Sequence, residues 1–178
     1  MITTRLAAPA ELDATAEVWR LANIARGKVP SQQRIARVHA KLTGHDALVV
    51  VAVDSGALVG MALAEPGLAD DGAGSPLAGL CHVSMVFVHP ERWGKAIGQQ
   101  LLTAVASYAG RDGYAVLQLW TGESNERAQR LYRRAGFSPT GRTKQLDTGE
   151  LVLHLTRPIT TSAVPAGARQ PGEEPALG

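Results

Sequence analysis

The residues best suited to bind an anion lie in one stretch, residues 83–102, which reads VSMVFVHPERWGKAIGQQLL. Residues 83–88 predict a strand buried on both faces, because all but one of them are β-branched, aromatic or sulfur-bearing. Pro90 has no backbone donor and ends the strand. Gly94 and Gly98 follow and allow the backbone to approach a ligand closely. An amphipathic helix then begins, and the N–H groups of its first turn predict a site for a pyrophosphate.

A dinucleotide-binding turn has the same order of strand, glycine turn and helix. That motif places G-x-G-x-x-G early in a βαβ unit and an acidic residue at the end of the next strand. Here the stretch has only two such glycines, lies in the middle of the chain and is followed by a strand that ends at Trp120. The spacing therefore argues against a dinucleotide site.

The composition predicts a single domain that needs no covalent cross-link. A chain of 178 residues can bury a core of its own, and Cys81, the single cysteine, cannot form an internal disulfide. With a formal charge of +2 and 4% aromatic residues, we expect neither a nucleic-acid nor a membrane partner. No apolar run reaches the length of a membrane span and no signal peptide is apparent, so we expect a cytoplasmic protein.

Predicted strands and helices flank the central stretch on both sides. Before it we expect a strand, two helices, an antiparallel hairpin and a mobile loop, at residues 3–8, 9–27, 31–44, 48–64 and 65–80. After it we expect a strand, a helix capped by Ser124 or Asn125, and a closing hairpin, at residues 115–120, 124–136 and 137–156. Few large apolar residues follow Pro158, which predicts a disordered tail over residues 159–178.

A basic region with no acidic residue lies between Trp19 and His45. One interpretation is a solvated helical face, and the other is a surface that meets an anionic acceptor or the phosphates of a cofactor. The six basic residues are Arg20, Arg26, Lys28, Arg34, Arg37 and Lys41.

Two segments carry a resemblance to a known family. The pattern W-G-K-A-I-G-x-x-L-L occupies residues 93–102, and N-x-x-A-x-x-L-Y-x-x-x-G-F occupies residues 125–137. Over residues 81–142 the chain resembles the GNAT N-acetyltransferases. The resemblance implies an α/β (α+β) domain over residues 1–158, with a mixed, mostly antiparallel sheet of six to seven strands and about four flanking helices. It also implies that two middle strands splay apart and that acetyl-CoA lies between them.

The resemblance places the cofactor contacts in these two segments. Because a splayed strand has free backbone groups, Val86 and Val88 can pair with the pantetheine amides, and the N–H groups from Lys95 to Gln99 can hold the pyrophosphate. Asn125 resembles a family asparagine that contacts the cofactor, although an N-cap explains it equally well. The predicted cofactor-binding residues are Val86, Phe87, Val88, Trp93, Gly94, Lys95, Ala96, Ile97, Gly98, Gln99, Asn125 and Tyr132.

Three residues are candidates for moving protons in the reaction that the resemblance implies. Tyr132 is placed by the resemblance near the sulfur, where its phenol could protonate the departing thiolate; a purely core aromatic is the alternative. His82 stands where family members often carry a glutamate and could take the amine proton directly or through water, although a lone histidine is often structural. Glu123 is the rival base.

The chain departs from the family pattern at two positions. Trp93 stands where the family usually has Arg or Gln, and Ala96 stands where it usually has Gly. A β-carbon at Ala96 crowds the turn only if that residue needs positive φ, whereas helical φ would tolerate it. We expect these changes to shift cofactor affinity without abolishing binding.

The expected function is transfer of the acetyl group of acetyl-CoA to a primary amine by direct attack in a ternary complex, without a metal. A small-molecule acceptor is favoured, because the chain lacks a long acidic cluster suited to a basic protein tail and the basic region suits an amine that also carries a carboxylate or phosphate. The alternatives are a protein N-acetyltransferase and an acyl-CoA-binding regulatory or partner-binding module with a degenerate site. A homodimer is left open.

Overall fold

A seven-stranded sheet forms the centre of the computed structural model, which describes residues 1–160. The strands lie in the order β1-β2-β3-β4-β5-β7-β6. Within the described residues every neighbouring pair is antiparallel except β4 and β5. The strands are β1 Ile2–Leu6, β2 Leu48–Asp54, β3 Ala57–Leu68, β4 Pro76–Val88, β5 Val116–Gly122, β6 Ser138–Gln145 and β7 Leu151–Pro158.

Four helices flank the sheet: α1 Leu12–Ala25, α2 Gln32–Leu42, α3 Ile97–Arg111 and α4 Glu126–Arg134. Two of them start at side-chain caps, because the Ser31 hydroxyl accepts from the Arg34 N–H and the Asn125 amide oxygen accepts from the Ala128 N–H. The apolar residues of α1 and α2 form one core with β2 and β3, and those of α3 form a second core with β2 to β5. Two separate cores give the sheet a helical layer on each face.

A gap opens in the middle of the sheet. Parallel strands β4 and β5 pair at three positions, the last of which joins His82 to Gln118. Both strands then continue, β4 to Val88 and β5 to Gly122, while their outer edges stay paired with β3 and β7. This architecture confirms the predicted mixed, mostly antiparallel sheet with splayed middle strands.

One predicted element is wrong. Residues 65–80 were expected to form a mobile loop, but β3 runs to Leu68 and β4 begins at Pro76, with Leu68 opposite Pro76 in the ladder. In the turn between them, Asp70 and Asp71 adopt left-handed φ of 51° and 54°, which Asp tolerates better than most residues. Strands β3 and β4 therefore occupy both ends of the expected loop, residues 65–68 and 76–80, and leave residues 69–75 as the turn.

The predicted disordered tail lies outside the described residues, apart from Ile159 and Thr160. The Ile159 N–H donates to the Ala115 carbonyl over 2.8 Å and prolongs the last strand contact. Within residues 1–160, no helix combines the length and the apolar character needed to cross a membrane.

Candidate active site

The turn between β4 and α3 brings the first predicted binding residues together. Gly94 has φ of +81°, and Ala96, the residue before Ile97 at the start of α3, has φ of +56°. Left-handed backbone costs a residue with a β-carbon about 1 to 2 kcal/mol. The structure therefore answers the question that the sequence left open, since Ala96 occupies the conformation in which its β-carbon is unfavourable.

Gly98 allows two helices to pack closely. A β-carbon at this position would lie 2.9 Å from Leu131 Cδ2 of α4, closer than real contacts allow. The absence of a side chain is thus explained by the contact between α3 and α4, and close approach of a ligand is not needed to account for it.

Trp93 closes the end of β4. Its indole Nε1 donates to the Val88 carbonyl over 2.9 Å, and the Arg127 guanidinium lies 4.4 Å from its ring centroid. The next N–H along the strand, that of His89, donates to Val59 of β3. Because backbone groups alternate along a strand, those of Val88 and Val86 face the gap.

A cavity of about 830 Å³, which we call the gap cavity, lies between the splayed strands and the start of α3. All twelve residues predicted to bind the cofactor line it. Among residues 1–160, seven basic side chains line it, against one carboxylate, that of Glu150: Arg26, Lys28, Arg92, Lys95, Arg127, Arg130 and Arg134. Such an excess of positive charge suits a ligand with several phosphate groups.

Tyr132 lines the gap cavity from α4. Its ring packs edge-on against Phe137 at a centroid distance of 5.9 Å. Burial raises the pKa of the Tyr132 phenol, and the nearby Arg26 guanidinium opposes that rise. The phenol therefore stays protonated at neutral pH and can donate a proton into the cavity.

A second cavity of about 570 Å³, which we call the hairpin cavity, lies beside the β3–β4 hairpin. Trp120 lines both cavities. His82 lines the hairpin cavity at the point where β4 and β5 separate, and its Nδ1 is buried with no hydrogen-bond partner among the described residues. Burial, followed by the charge of Lys41, lowers the pKa of His82, so its imidazole is neutral at pH 7.

Glu65 stands directly opposite His82 in the β3–β4 ladder. Its Oε2 accepts from Lys41 Nζ over 3.0 Å and from the Ser84 hydroxyl. Ser84 in turn lines the gap cavity, so this hydrogen bond joins the walls of the two cavities. A carboxylate and a neutral imidazole thus face one cavity, where an amine can be bound and deprotonated.

Comparison with known proteins now assigns the family. The family model described as "Acetyltransferase (GNAT) family" matches residues 14–137. The chain belongs to the GNAT family. Its resemblance over residues 81–142 is therefore confirmed, and the match extends to α1.

Two curated GNAT relatives share part of the sequence. The uncharacterized N-acetyltransferase YhfO of Bacillus subtilis is 28% identical over 102 residues, which are 57% of this chain and 66% of that protein. The uncharacterized N-acetyltransferase MJ1207 of Methanocaldococcus jannaschii is 33% identical over 58 residues, 33% of this chain and 26% of that protein. The matches span less than two thirds of either relative.

Solved structures share the GNAT fold over nearly the whole chain. The yncA protein of Salmonella typhimurium, described with its cofactor acetyl-CoA, superposes with a TM-score of 0.67 at 25% identity and covers 94% of this chain and 99% of that one. The ribosomal-protein-S18-alanine N-acetyltransferase of Escherichia coli gives a TM-score of 0.69 at 18% identity over 93% and 98% of the two chains.

Glu123 is placed differently from the other proton-transfer candidates of this GNAT chain. Its side chain is exposed just after β5, and its carbonyl accepts from Gln129 Nε2 over 2.6 Å. Among the described residues that line the gap cavity are its neighbours Gly122 and Ser124, but not Glu123 itself. Its role as a base stays a prediction.

Two further groups bear on the chemistry available to the GNAT site. Burial raises the pKa of the Cys81 thiol to about 12, so this cysteine does not supply a thiolate nucleophile near neutral pH. Within residues 1–160, no cluster of three or more His, Cys, Asp or Glu side chains is arranged to hold a metal ion.

Four basic residues of the gap cavity were not predicted to bind the cofactor: Arg92, Arg127, Arg130 and Arg134. Arg26 and Lys28 belong to the basic region and line the gap cavity, which supports its alternative interpretation as a surface for cofactor phosphates. Arg34 instead lies 5.7 Å from the Trp19 ring centroid, and Arg37 is exposed on α2. Glu65 lies in the loop predicted over residues 65–80, so the sequence does not indicate that it is a neighbour of His82.

Proposed function

We propose that this protein transfers the acetyl group of acetyl-CoA to the primary amine of a small molecule by direct attack within a ternary complex. The observation that carries the proposal is the meeting of two unlike cavities at Trp120, in the gap between β4 and β5. One cavity is strongly basic, and the other holds a carboxylate and a neutral histidine. Two reactants can therefore be held on opposite sides of one opening.

The gap cavity would hold the CoA portion. The basic side chains that line it match the phosphates in charge. The N–H groups at the start of α3 would hold the pyrophosphate. The backbone of Val86 and the N–H of Val88, whose carbonyl already accepts from Trp93, would pair with the pantetheine amides as a neighbouring strand does. Acetyl-CoA supplies the thioester whose acyl carbon is attacked.

Three groups of the chain would serve the transfer. A backbone amide near Val86 would polarise the thioester carbonyl. Neutral His82 would take the proton that the amine loses, and the Tyr132 phenol would give a proton to the departing thiolate. A free thiol has a pKa of about 8.5, so its thiolate leaves readily and the acid assists without being indispensable.

The size of the hairpin cavity supports a small acceptor. Small-molecule sites in proteins commonly enclose about 300 to 1,000 Å³, and this cavity encloses about 570 Å³. An extended protein tail is the rival acceptor, and the S18-alanine acetyltransferase of Escherichia coli shares the fold. Because the sequence identity to that structure is low, the similarity concerns the fold alone.

The proposal is tested by measuring thiol release from acetyl-CoA with a panel of small amines and of peptides with free N-termini. We expect turnover with at least one small amine and none above background with the peptides. Preferred turnover of a peptide would instead make this a protein N-acetyltransferase. Tight acetyl-CoA binding without turnover of any acceptor would make it an acyl-CoA-binding module.

A further inference from the structure

We infer that the acceptor is an α-amino carboxylate whose two charges are recognised by the Lys41–Glu65 ion pair. The inference rests on the proposed function and names the substrate class of the hairpin cavity. It starts from the position of the pair, which joins α2 to β3 within the lining of that cavity.

The ion pair remains accessible to a ligand. The Lys41 and Glu65 side chains are 47% and 27% exposed, respectively. Among the described residues, the hydrogen bonds to Glu65 both end on Oε2, one from Lys41 and one from Ser84. Oε1 is therefore the carboxylate oxygen left to receive an ammonium group. Exposed pairs contribute little to stability, at most about 1 kcal/mol, so a ligand can open this one.

The charges match an α-amino carboxylate in both sign and spacing. Lys41 and Glu65 are in direct contact, and such a ligand carries its ammonium and carboxylate groups on one carbon atom. Its ammonium would lie against Glu65, directly opposite His82. It would lose one proton to solvent to become the attacking amine, and His82 would take the second proton as the C–N bond forms and the C–S bond breaks. Its carboxylate would lie against Lys41, with Lys144 as the second cation of the cavity.

Glu65 differs from the two other carboxylates of the cavity in its position and in its partner. Asp71 pairs with Arg142, and Asp46 lies 3.1 Å from His45 Nδ1. Only Glu65 is both paired with a lysine of the lining and opposite His82 among the described residues. We therefore expect the ammonium of the acceptor to bind Glu65, and not Asp46 or Asp71.

The first experiment compares matched acceptors in the thiol-release assay: leucine, phenylalanine and glutamate, each against its α-amide. The amides keep the amine and the side chain but lose the negative charge that Lys41 would bind. We expect kcat/KM to be about tenfold or more higher for the acids. Equal turnover of acids and amides would overturn the inference and leave the proposed function intact.

The second experiment uses Lys41→Met, with Arg37→Met as the matched control on an exposed position of α2. Lys41→Met should raise the KM for the amino acid by roughly tenfold and leave the KM for acetyl-CoA unchanged, when both are measured near pH 8, where His82 is neutral with or without the lysine charge. Arg37→Met should change neither. If Lys41→Met affected acids and amides equally, the lysine would have a structural role and the inference would be wrong.

A binding measurement separates failure of the inference from failure of the proposed function. Saturation-transfer NMR titrations with CoA present should give a Kd for phenylalanine about tenfold lower than that for phenylalaninamide, and Lys41→Met should remove this difference. This result without any thiol release would overturn the proposed function and support the inference. Absence of both binding and thiol release would overturn both.

Discussion

Removing the hydroxyl oxygen of Tyr132 separates its proposed role as a proton donor from the packing of its ring. Tyr132→Phe keeps the ring that packs against Phe137 but removes the proposed proton donor. We expect kcat to fall by roughly tenfold to a thousandfold, with little change in acetyl-CoA affinity, because general acids usually contribute within that range. Stopped-flow thiol release and calorimetric acetyl-CoA binding provide the two measurements.

Tyr108→Phe is the control for this variant, because Tyr108 lies on α3 and, among the described residues, is not one of those that line the gap cavity. It should leave kcat unchanged. Full turnover of Tyr132→Phe across the pH range would show that the hydroxyl is not the acid.

His82 makes the rate depend on pH in a defined direction. Burial lowers its pKa from the ordinary value of 6.5, so the neutral, proton-accepting form persists at pH 6.5 and above. At saturating substrates, the part of the pH dependence of kcat that comes from His82 should therefore lie below pH 6.5, where the imidazole becomes protonated. His82→Gln should lower kcat and remove this acidic limb.

His39→Gln serves as the control for the pH profile. His39 lies on α2, 3.6 Å from Asp13, and its substitution should leave the limb in place. An acidic limb that survives in His82→Gln with the same apparent pKa would assign the base to another group.

Among the elements, the start of α3 contains a residue in an unfavourable conformation. Ala96 has left-handed φ, which costs about 1 to 2 kcal/mol, whereas glycine loses about 0.5 to 1 kcal/mol through its freedom in the unfolded chain. Ala96→Gly should therefore raise the free energy of unfolding by up to about 1 kcal/mol in urea titrations.

Ala104→Gly offers the matched comparison, because Ala104 lies in the interior of the same helix. There glycine should lower the free energy of unfolding by about 1 kcal/mol. A loss of stability of similar size in Ala96→Gly would show that the left-handed conformation is not a source of strain.

Local signals allowed most elements of this fold to be predicted. Apolar periodicity and the capping residues Ser31 and Asn125 located α2 and α4, and both caps form hydrogen bonds in the structure. The prediction of a loop over residues 65–80 is wrong because it rests on their Gly, Asp and Pro content, which is typical of loops. The pairing of β3 with β4 depends on contacts across the hairpin, and no local sequence pattern indicates it. For the same reason, the sequence did not predict that Glu65 lies opposite His82.

The candidate site could likewise be predicted where a local motif fixes its residues, but not where residues from separate elements meet. The residues of the gap cavity that were predicted lie within one strand-turn-helix segment and at α4, where a motif fixes their relative positions. Arg26 reaches the cavity from the end of α1, where its guanidinium lies 5.4 Å from the Phe87 ring centroid. The left-handed φ of Ala96 was left open because alanine itself does not favour it.

Considered as a whole molecule, the domain concentrates positive charge around the gap cavity. Arg127, which lines the cavity and packs on Trp93, should contribute to acetyl-CoA binding. We expect Arg127→Gln to raise the Kd for acetyl-CoA by about fivefold at low salt, and a smaller effect in high salt, where charges are screened within a few ångströms.

Arg133→Gln is the control on the same helix, because Arg133 is exposed and, among the described residues, is not part of the cavity lining. Calorimetric titration of both variants at two salt concentrations provides the measurement. Equal effects of the two substitutions on the Kd for acetyl-CoA would show that Arg127 contributes only through the net charge of the domain.

The central claim is that both reactants occupy the molecule at once, on either side of the gap between β4 and β5. The most direct test is the initial rate of thiol release with acetyl-CoA and an active amine varied together. We predict double-reciprocal lines that intersect, because in the proposed ternary complex both reactants bind before the acetyl group is transferred. Parallel lines, typical of a ping-pong reaction through an acetylated enzyme, would contradict the account.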